Sequence, residues 1–182
     1  YSKTWKAKLD EKEDVIEENG QQVKVSYYLK PYPTEKYFYN FHQTDEVFSF
    51  PTLAEMNFEA TDTEIPSKTV SRGLIKNYDD TRNFPAIEGT SRLGIHFRFG
   101  TISSREKARR ARQLNETFLN ELMWRDFYAQ ILANFPHVAE NSFRSEYDCI
   151  EWRNNEEEFA AWCKGETGYP IVDAGMRELN AT

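Results

Sequence analysis

The sequence predicts a mainly α fold, and three observations carry that prediction. From Val70 onward the apolar residues recur at helical spacing, and the stretches that do so begin and end on capping residues. The chain has no internal repeat, no low-complexity tract and no Gly-rich phosphate loop of the GxGxxG or P-loop kind. With 182 residues, 39% apolar and 15% aromatic, it is long enough to bury one core and too aromatic for a disordered chain.

The elements follow in chain order. Residues 1–66 carry short apolar clusters interrupted by Pro31, Pro33, Pro51 and Pro66, with Asn19-Gly20 as a turn between possible strands. This region reads as an irregular connection. A helical pattern starts at Val70, breaks near Pro85 and Gly89, resumes over Thr90 to Phe99 and ends at Gly100. Ser103 and Glu106 stand at capping-box spacing and open a helix through Arg112. Asn115 starts the next. Asn154 is placed to cap a further helix, with Glu156, Glu157 and Glu158 in its first turn, Lys164 in its last and Gly165 beyond. Pro170 suits a first helical position.

The segment from Asn115 to Phe135 is the most informative. Its polar residues Asp126, Gln130 and Asn134 fall in one line along a helix, and apolar side chains cover most of the rest, which predicts a central, largely buried helix. Glu121, Trp124, Arg125 and Tyr128 share an arc of about 100° by the same arithmetic. Two readings are open. Glu121 and Arg125 form an ordinary helical ion pair of about 0.2–0.5 kcal/mol with Trp124 in the core. Alternatively the four residues floor a cavity, where the arginine holds an anionic group and the indole stacks on a flat one.

Charge is unevenly distributed. The net of −7 conceals a basic segment: residues 68–112 hold 11 basic residues against 4 acids, while residues 1–66 hold 7 Lys and no Arg against 13 acids. Residues 113–182 return to 5 basic residues against 13 acids. Such a segment is either a solvated helical face or the electrostatic footprint of a nucleic-acid partner. Cys149 and Cys163 lie in no CxxC or Cys/His pattern, and His42, His96 and His137 are far apart, so packed thiols and no metal site are expected. There is no run of 18 apolar residues and no leader pattern at Tyr1, so no membrane span is expected and the expected location is cytoplasmic.

Four stretches then point to a family. GTSRLGIHFRFGTIS at Gly89 to Ser103, NETFLNELMWRDFYAQILANFPHV at Asn115 to Val138, IEWRNN at Ile150 to Asn155 and WCKGETGYPIVDAGMRELNAT at Trp162 to Thr182 closely resemble the DNA photolyase and cryptochrome family, in its order and at its spacing. The resemblance is most like photolyases of the class I cyclobutane-dimer type and covers residues 70–182 strongly. Residues 1–66 resemble, more weakly, the variable linker between the family's α/β antenna domain and its helical flavin domain. The implied organisation is a linker over 1–66 and the first half of a helical FAD-binding domain over 67–182.

The resemblance also implies chemistry. The family holds FAD folded inside its helical domain, beneath a cavity that receives a flipped pyrimidine dimer from UV-damaged DNA. Tyr78 and the loop Thr90, Ser91, Arg92, Leu93 and Gly94 match cofactor-contacting positions near its phosphates, and Arg125 matches a flavin-site arginine. Many relatives have Ser where this chain has Gly94, so at that position only a backbone contact is carried over. Arg82 matches a DNA-contacting arginine; Glu121 and Trp124 match the catalytic, dimer-facing pair; Arg125 and Tyr128 border the same DNA-binding surface. Trp152 matches the outermost tryptophan of the family's electron relay, with Trp162 competing for the role. In the implied reaction reduced flavin absorbs blue light and lends an electron to the dimer, whose cyclobutane ring opens. The antenna chromophore is not identified by these residues.

Relatives continue past the position of Thr182 into further flavin-contacting motifs. The chain by itself is therefore expected to be an internal piece of such a protein, inactive, without flavin and able to self-associate through uncovered apolar surface. Two alternatives stand beside repair: a cryptochrome-like blue-light receptor, and a helical scaffold without cofactor.

Overall fold

The structure, a computed structural model, describes residues 1–181; Thr182, the last residue of the stretch beginning at Trp162, lies outside the described residues. The chain is mainly α, as the sequence predicts. Its described residues fall into two compact units, one of residues 1–60 with 64–134, the other of residues 135–181 with Thr61–Thr63.

The first unit begins with more order than the sequence suggests. Helix α1, Ser2–Asp10, leads into an antiparallel hairpin of β1, Glu13–Glu18, and β2, Gln21–Ser26. Asn19 and Gly20 form the turn at φ 54° and 75°, the paired positive angles that a two-residue hairpin requires, so the turn falls where the sequence places it. Helix α1 is a departure from the irregular region expected over 1–66. Nine residues make a marginal helix in isolation; here Leu9 is buried and Trp5 packs against the core, so tertiary contact supplies what propensity does not. A 3₁₀ turn at Tyr27–Leu29 then drives Leu29 into the same core, with the Tyr27 ring held between the ammonium groups of Lys12 and Lys30 at 4.1 and 4.0 Å.

The helical pattern from Val70 resolves into α2, Arg72–Lys76, and α3, Tyr78–Thr81. Ser71 caps α2 by accepting from the Leu74 amide at 3.1 Å. The helix expected over Thr90 to Phe99 is shorter than predicted: α4 spans Gly94–Arg98, because Arg92 adopts φ 49° and no right-handed helix passes through that angle. Gly100, at φ 64°, lies just beyond α4 as predicted. Helix α5, Ser104–Leu114, is capped by Ser103, whose hydroxyl accepts from the Glu106 amide at 3.3 Å. The small residues Ala108 and Ala111 of α5 are buried where α6, Glu116–Asn134, packs against it.

Asn115 fixes the start of α6. Its Oδ1 accepts from the Phe118 amide at 2.9 Å, while its Nδ2 donates to the Lys76 carbonyl at 3.1 Å and to Asp79 at 2.6 Å. One side chain thus caps α6 and ties it to α2 and α3. The expectation that α6 is largely buried needs correction. Helices α1, α3 and α5 pack on it, and its buried residues, Phe118, Leu119 and Met123, all lie in its first half, while Trp124, Tyr128 and Leu132 are exposed. The apolar composition around most of its circumference predicts cover that the elements of its own unit do not provide over its second half. His96 of α4 fastens the preceding segment: its buried Nε2 donates to the Pro66 carbonyl at 2.6 Å and its Nδ1 lies 2.8 Å from the Thr101 hydroxyl.

The second unit holds α7, Glu156–Lys164, and α8, Pro170–Ala181. The cap of α7 is Asn155, which accepts from the Glu158 amide at 3.0 Å, and not Asn154, which takes φ 44° one residue earlier. Gly165 ends α7 at φ 70°, and Pro170 opens α8. In the first turn of α8 Asp173 is buried and accepts from the Thr167 amide and hydroxyl at 2.8 and 2.6 Å and from the Gly168 amide at 3.0 Å. Cys149 and Cys163 are free. Among the described residues no helix is long and apolar enough to cross a membrane, and no cluster of three metal-ligating side chains forms.

Candidate functional site

The loop before α4 is shaped by two residues. Gly89 is buried against α3, where a Cβ would stand 2.7 Å from the Thr81 hydroxyl and 2.8 Å from its carbonyl carbon, so only glycine fits. Arg92 then takes its left-handed angle, at a cost of roughly 1–2 kcal/mol for a residue with a Cβ, and Leu93 follows at φ −80°, ψ 0° with 1% of its surface exposed. The buried leucine anchors the strained turn.

Consecutive residues of opposite backbone hand turn their amides to one side, which is the geometry of an anion-binding nest. The amides of Thr90, Ser91, Arg92, Leu93 and Gly94 donate no hydrogen bond among the described residues. Gly94 faces open space: an added Cβ would meet nothing within 4 Å. The Arg92 guanidinium reaches Glu88 at 3.1 Å on the surface.

Tyr78 begins α3 half-buried, its ring set edge-on to Phe118 of α6 at 5.0 Å. The guanidinium of Arg82 lies 5.4 Å from the same ring. Burial pushes the Tyr78 phenol up from its ordinary range, the adjacent Arg82 charge opposes that shift and Glu121 adds to it. Arg82 and Glu121 form a hydrogen-bonded ion pair across the α3–α6 contact, which holds the guanidinium above its already high range. The helical pair between Glu121 and Arg125 is not what forms. Arg125 instead donates to the Phe97 carbonyl at 3.1 Å with its guanidinium 5.7 Å from the Phe97 ring, and it borders a cleft of about 490 Å³ lined by Trp5, Tyr28, Leu122 and Asp126.

One turn beyond Glu121, Trp124 stacks on Tyr128 with ring centroids 6.1 Å apart and planes at 29°, and Phe127 meets both rings edge-on at 5.5 Å. Trp124 is 51% exposed and Tyr128 65%, so neither is a core residue. The structure thus brings together Tyr78, Arg82 and Glu121, sets the Trp124–Tyr128 stack next to them on α6, and joins Arg125 to α4 through Phe97. Trp152 belongs to the second unit and is 71% exposed; Trp162 stacks on Phe159 at 5.7 Å. Phe97 and Phe118, which seat Arg125 and Tyr78, escape a reading of the sequence because an apolar residue on a helix carries no signal of what it supports. The Oδ1 of Asn120, next to Glu121, is buried without a partner.

Residues 118–182 match the family model described as the FAD binding domain of DNA photolyase. Over that stretch the chain is similar to the flavin-binding domain of the DNA photolyase family, a family whose cofactor is FAD. The chain is similar to proteins named deoxyribodipyrimidine photo-lyase: that of Neurospora crassa is 41% identical over 121 residues, covering 59% of this chain and 20% of the relative. That of Halobacterium salinarum is 38% identical over 154 residues, covering 72% and 32%, and that of Escherichia coli 40% identical over 115 residues, covering 58% and 24%. The chain spans a third or less of the length of the curated relatives it matches.

The residues present fit the phosphates of FAD. The unpaired amides of residues 90–94 and the hydroxyls of Thr90 and Ser91 are the donors an anion needs.

Proposed function

We propose that this chain contributes the dimer-facing and phosphate-binding parts of a light-driven DNA repair enzyme, a deoxyribodipyrimidine photo-lyase acting in the cytoplasm on UV-damaged DNA. Residues 1–66 then serve as the interdomain linker and residues 67–182 as the N-terminal part of the flavin domain. The observation that carries the reading is the exposed Trp124–Tyr128 stack one helical turn from the Arg82–Glu121 pair. A solvent-facing aromatic pair beside an arginine and a carboxylate suits a flipped base and its backbone phosphate.

Each residue has a distinct task. The amides and hydroxyls of Thr90, Ser91, Arg92, Leu93 and Gly94 hold the cofactor's phosphates, and Tyr78 and Arg125 bound its cavity. Reduced FAD, when bound, supplies under blue light the electron that opens the cyclobutane ring. Trp124 stacks on the dimer, Glu121 accepts a hydrogen bond from it and orients it, and Arg82 takes a neighbouring phosphate, with Tyr128 extending the platform. Trp152, exposed in the second unit, donates electrons to a flavin left oxidised. The protein that carries this chain at its natural length, reduced and illuminated with blue light, is expected to restore dimer-containing DNA; flavin binding without repair assigns it to the photoreceptors, and absence of flavin to cofactor-free scaffolds.

A further inference from the structure

We infer that the Arg82–Glu121 ion pair is a specificity device, a latch that only damaged DNA releases without leaving a charge unpaired. This rests on the functional reading above. The two residues proposed for different parts of the DNA, one for a phosphate and the other for a base, are here bonded to each other. The bonded atoms, Arg82 Nη1 and Glu121 Oε1, are engaged with each other while that bond is intact, and the opposite charge beside each group weakens its pull on any other partner. The pair is half-exposed, at 31% and 40% of side-chain surface, so an approaching strand reaches it. Arg82 is held from behind by the Tyr78 ring, and Glu121 by its place on α6, packed against α3.

The cost of opening the pair depends on what arrives. A phosphate of undamaged, stacked DNA satisfies Arg82 and leaves the Glu121 carboxylate with no donor, close to a polyanion. A flipped dimer brings pyrimidine N–H donors to Glu121 at the same time as its phosphate reaches Arg82, so both halves exchange one partner for another. The pair therefore penalises the wrong ligand more than it helps the right one. Arg125 lies four residues from Glu121 on α6, yet its guanidinium turns to the Phe97 carbonyl and not to Glu121.

The test is a double-mutant cycle on the protein that carries this chain at its natural length, measuring affinity for the same duplex with and without a thymine dimer across a range of salt. Glu121→Gln frees Arg82, so affinity for undamaged duplex rises roughly three- to tenfold at 0.1 M salt and its salt slope steepens by about 0.9, the signature of one added phosphate contact. Affinity for dimer-containing duplex falls in the same variant. Arg82→Gln changes undamaged binding little with Glu121 present, and weakens it three- to tenfold in the Glu121→Gln background. A merely structural role for the pair lowers affinity for both duplexes and leaves the salt slope unchanged. An unchanged slope in Glu121→Gln, or equal effects of Arg82→Gln in both backgrounds, overturns the latch while repair activity keeps the functional reading; absence of any preference for dimer-containing DNA in the wild type overturns both.

Discussion

Gly89 lies against Thr81 too closely for any side chain: a Cβ at residue 89 would stand 2.7–2.8 Å from the Thr81 hydroxyl, Cβ and carbonyl carbon. This contact sets the loop of residues 90–94 against α3, the helix that carries Tyr78 and leads to Arg82. It makes the two parts of the candidate site depend on one another.

Gly89→Ala therefore destabilises the first unit by about 1–3 kcal/mol, the usual cost of overpacking. Gly94→Ser, five residues on, changes stability by no more than about 0.5 kcal/mol, because its side chain enters open space. Chemical denaturation of both variants checks the contrast, and equal losses at the two positions would contradict it.

Arg92→Gly relieves the left-handed angle and gives up only a surface ion pair with Glu88, so stability rises or holds, by up to about 1 kcal/mol. Leu93→Ala, which empties a buried site, costs about 2–5 kcal/mol. Thermal melts followed by circular dichroism separate the two. A marked loss in Arg92→Gly would show that the guanidinium, not the backbone, shapes the turn.

Trp124→Ala removes half of an exposed stack, so it weakens binding to dimer-containing DNA by about 1–3 kcal/mol in the protein at its natural length, with a smaller effect on undamaged DNA. Because Trp124 is half-exposed, folding stability changes little. Competition binding with the two duplexes is the measurement, and an equal loss on both would assign the residue to the fold alone.

Trp152→Phe slows photoreduction of oxidised flavin sharply while leaving repair by chemically reduced protein intact, since an oxidisable indole is lost and its aromatic volume largely kept. Trp162→Phe has the smaller effect, its indole being more enclosed and stacked on Phe159. Transient absorption of the flavin after a light pulse distinguishes them. Normal rates in Trp152→Phe with slow rates in Trp162→Phe move the role to Trp162.

The α7–α8 unit loses stability in acid through Asp173. The Thr167 hydroxyl, followed by the amides of Thr167 and Gly168, holds its carboxyl below the usual carboxylate range against the opposing effect of burial. The folded state therefore takes up the proton less readily than the unfolded chain; the contribution is complete above an unfolded value of about 3.9 and disappears as pH falls through the lower folded value. Melting temperatures taken from pH 6 to pH 3 should fall less steeply in Asp173→Asn than in the wild type. Parallel curves would remove Asp173 from the acid response.

The sequence by itself determined the local events: the Asn19-Gly20 turn, the Ser103 and Asn115 caps, the Gly100 and Gly165 stops and the helical identity of residues 116–134. Each depends on a backbone angle or a hydrogen bond within a few residues, which residue type reports directly. Its family resemblance likewise lay in contiguous stretches. Tertiary structure decided the rest. Helix α1 exists through Trp5 and Leu9 packing on a distant core, α4 starts late because Leu93 is pulled inward and Arg92 is turned over to allow it, and α6 has its buried residues in its first half, where Phe118, Leu119 and Met123 join the core of its own unit. Periodicity had offered Arg125 as the partner of Glu121, yet the partner is Arg82, 39 residues away in sequence. This charge pair forms where α3 packs on α6, and that contact is a property of packed surfaces that spacing along one helix does not encode.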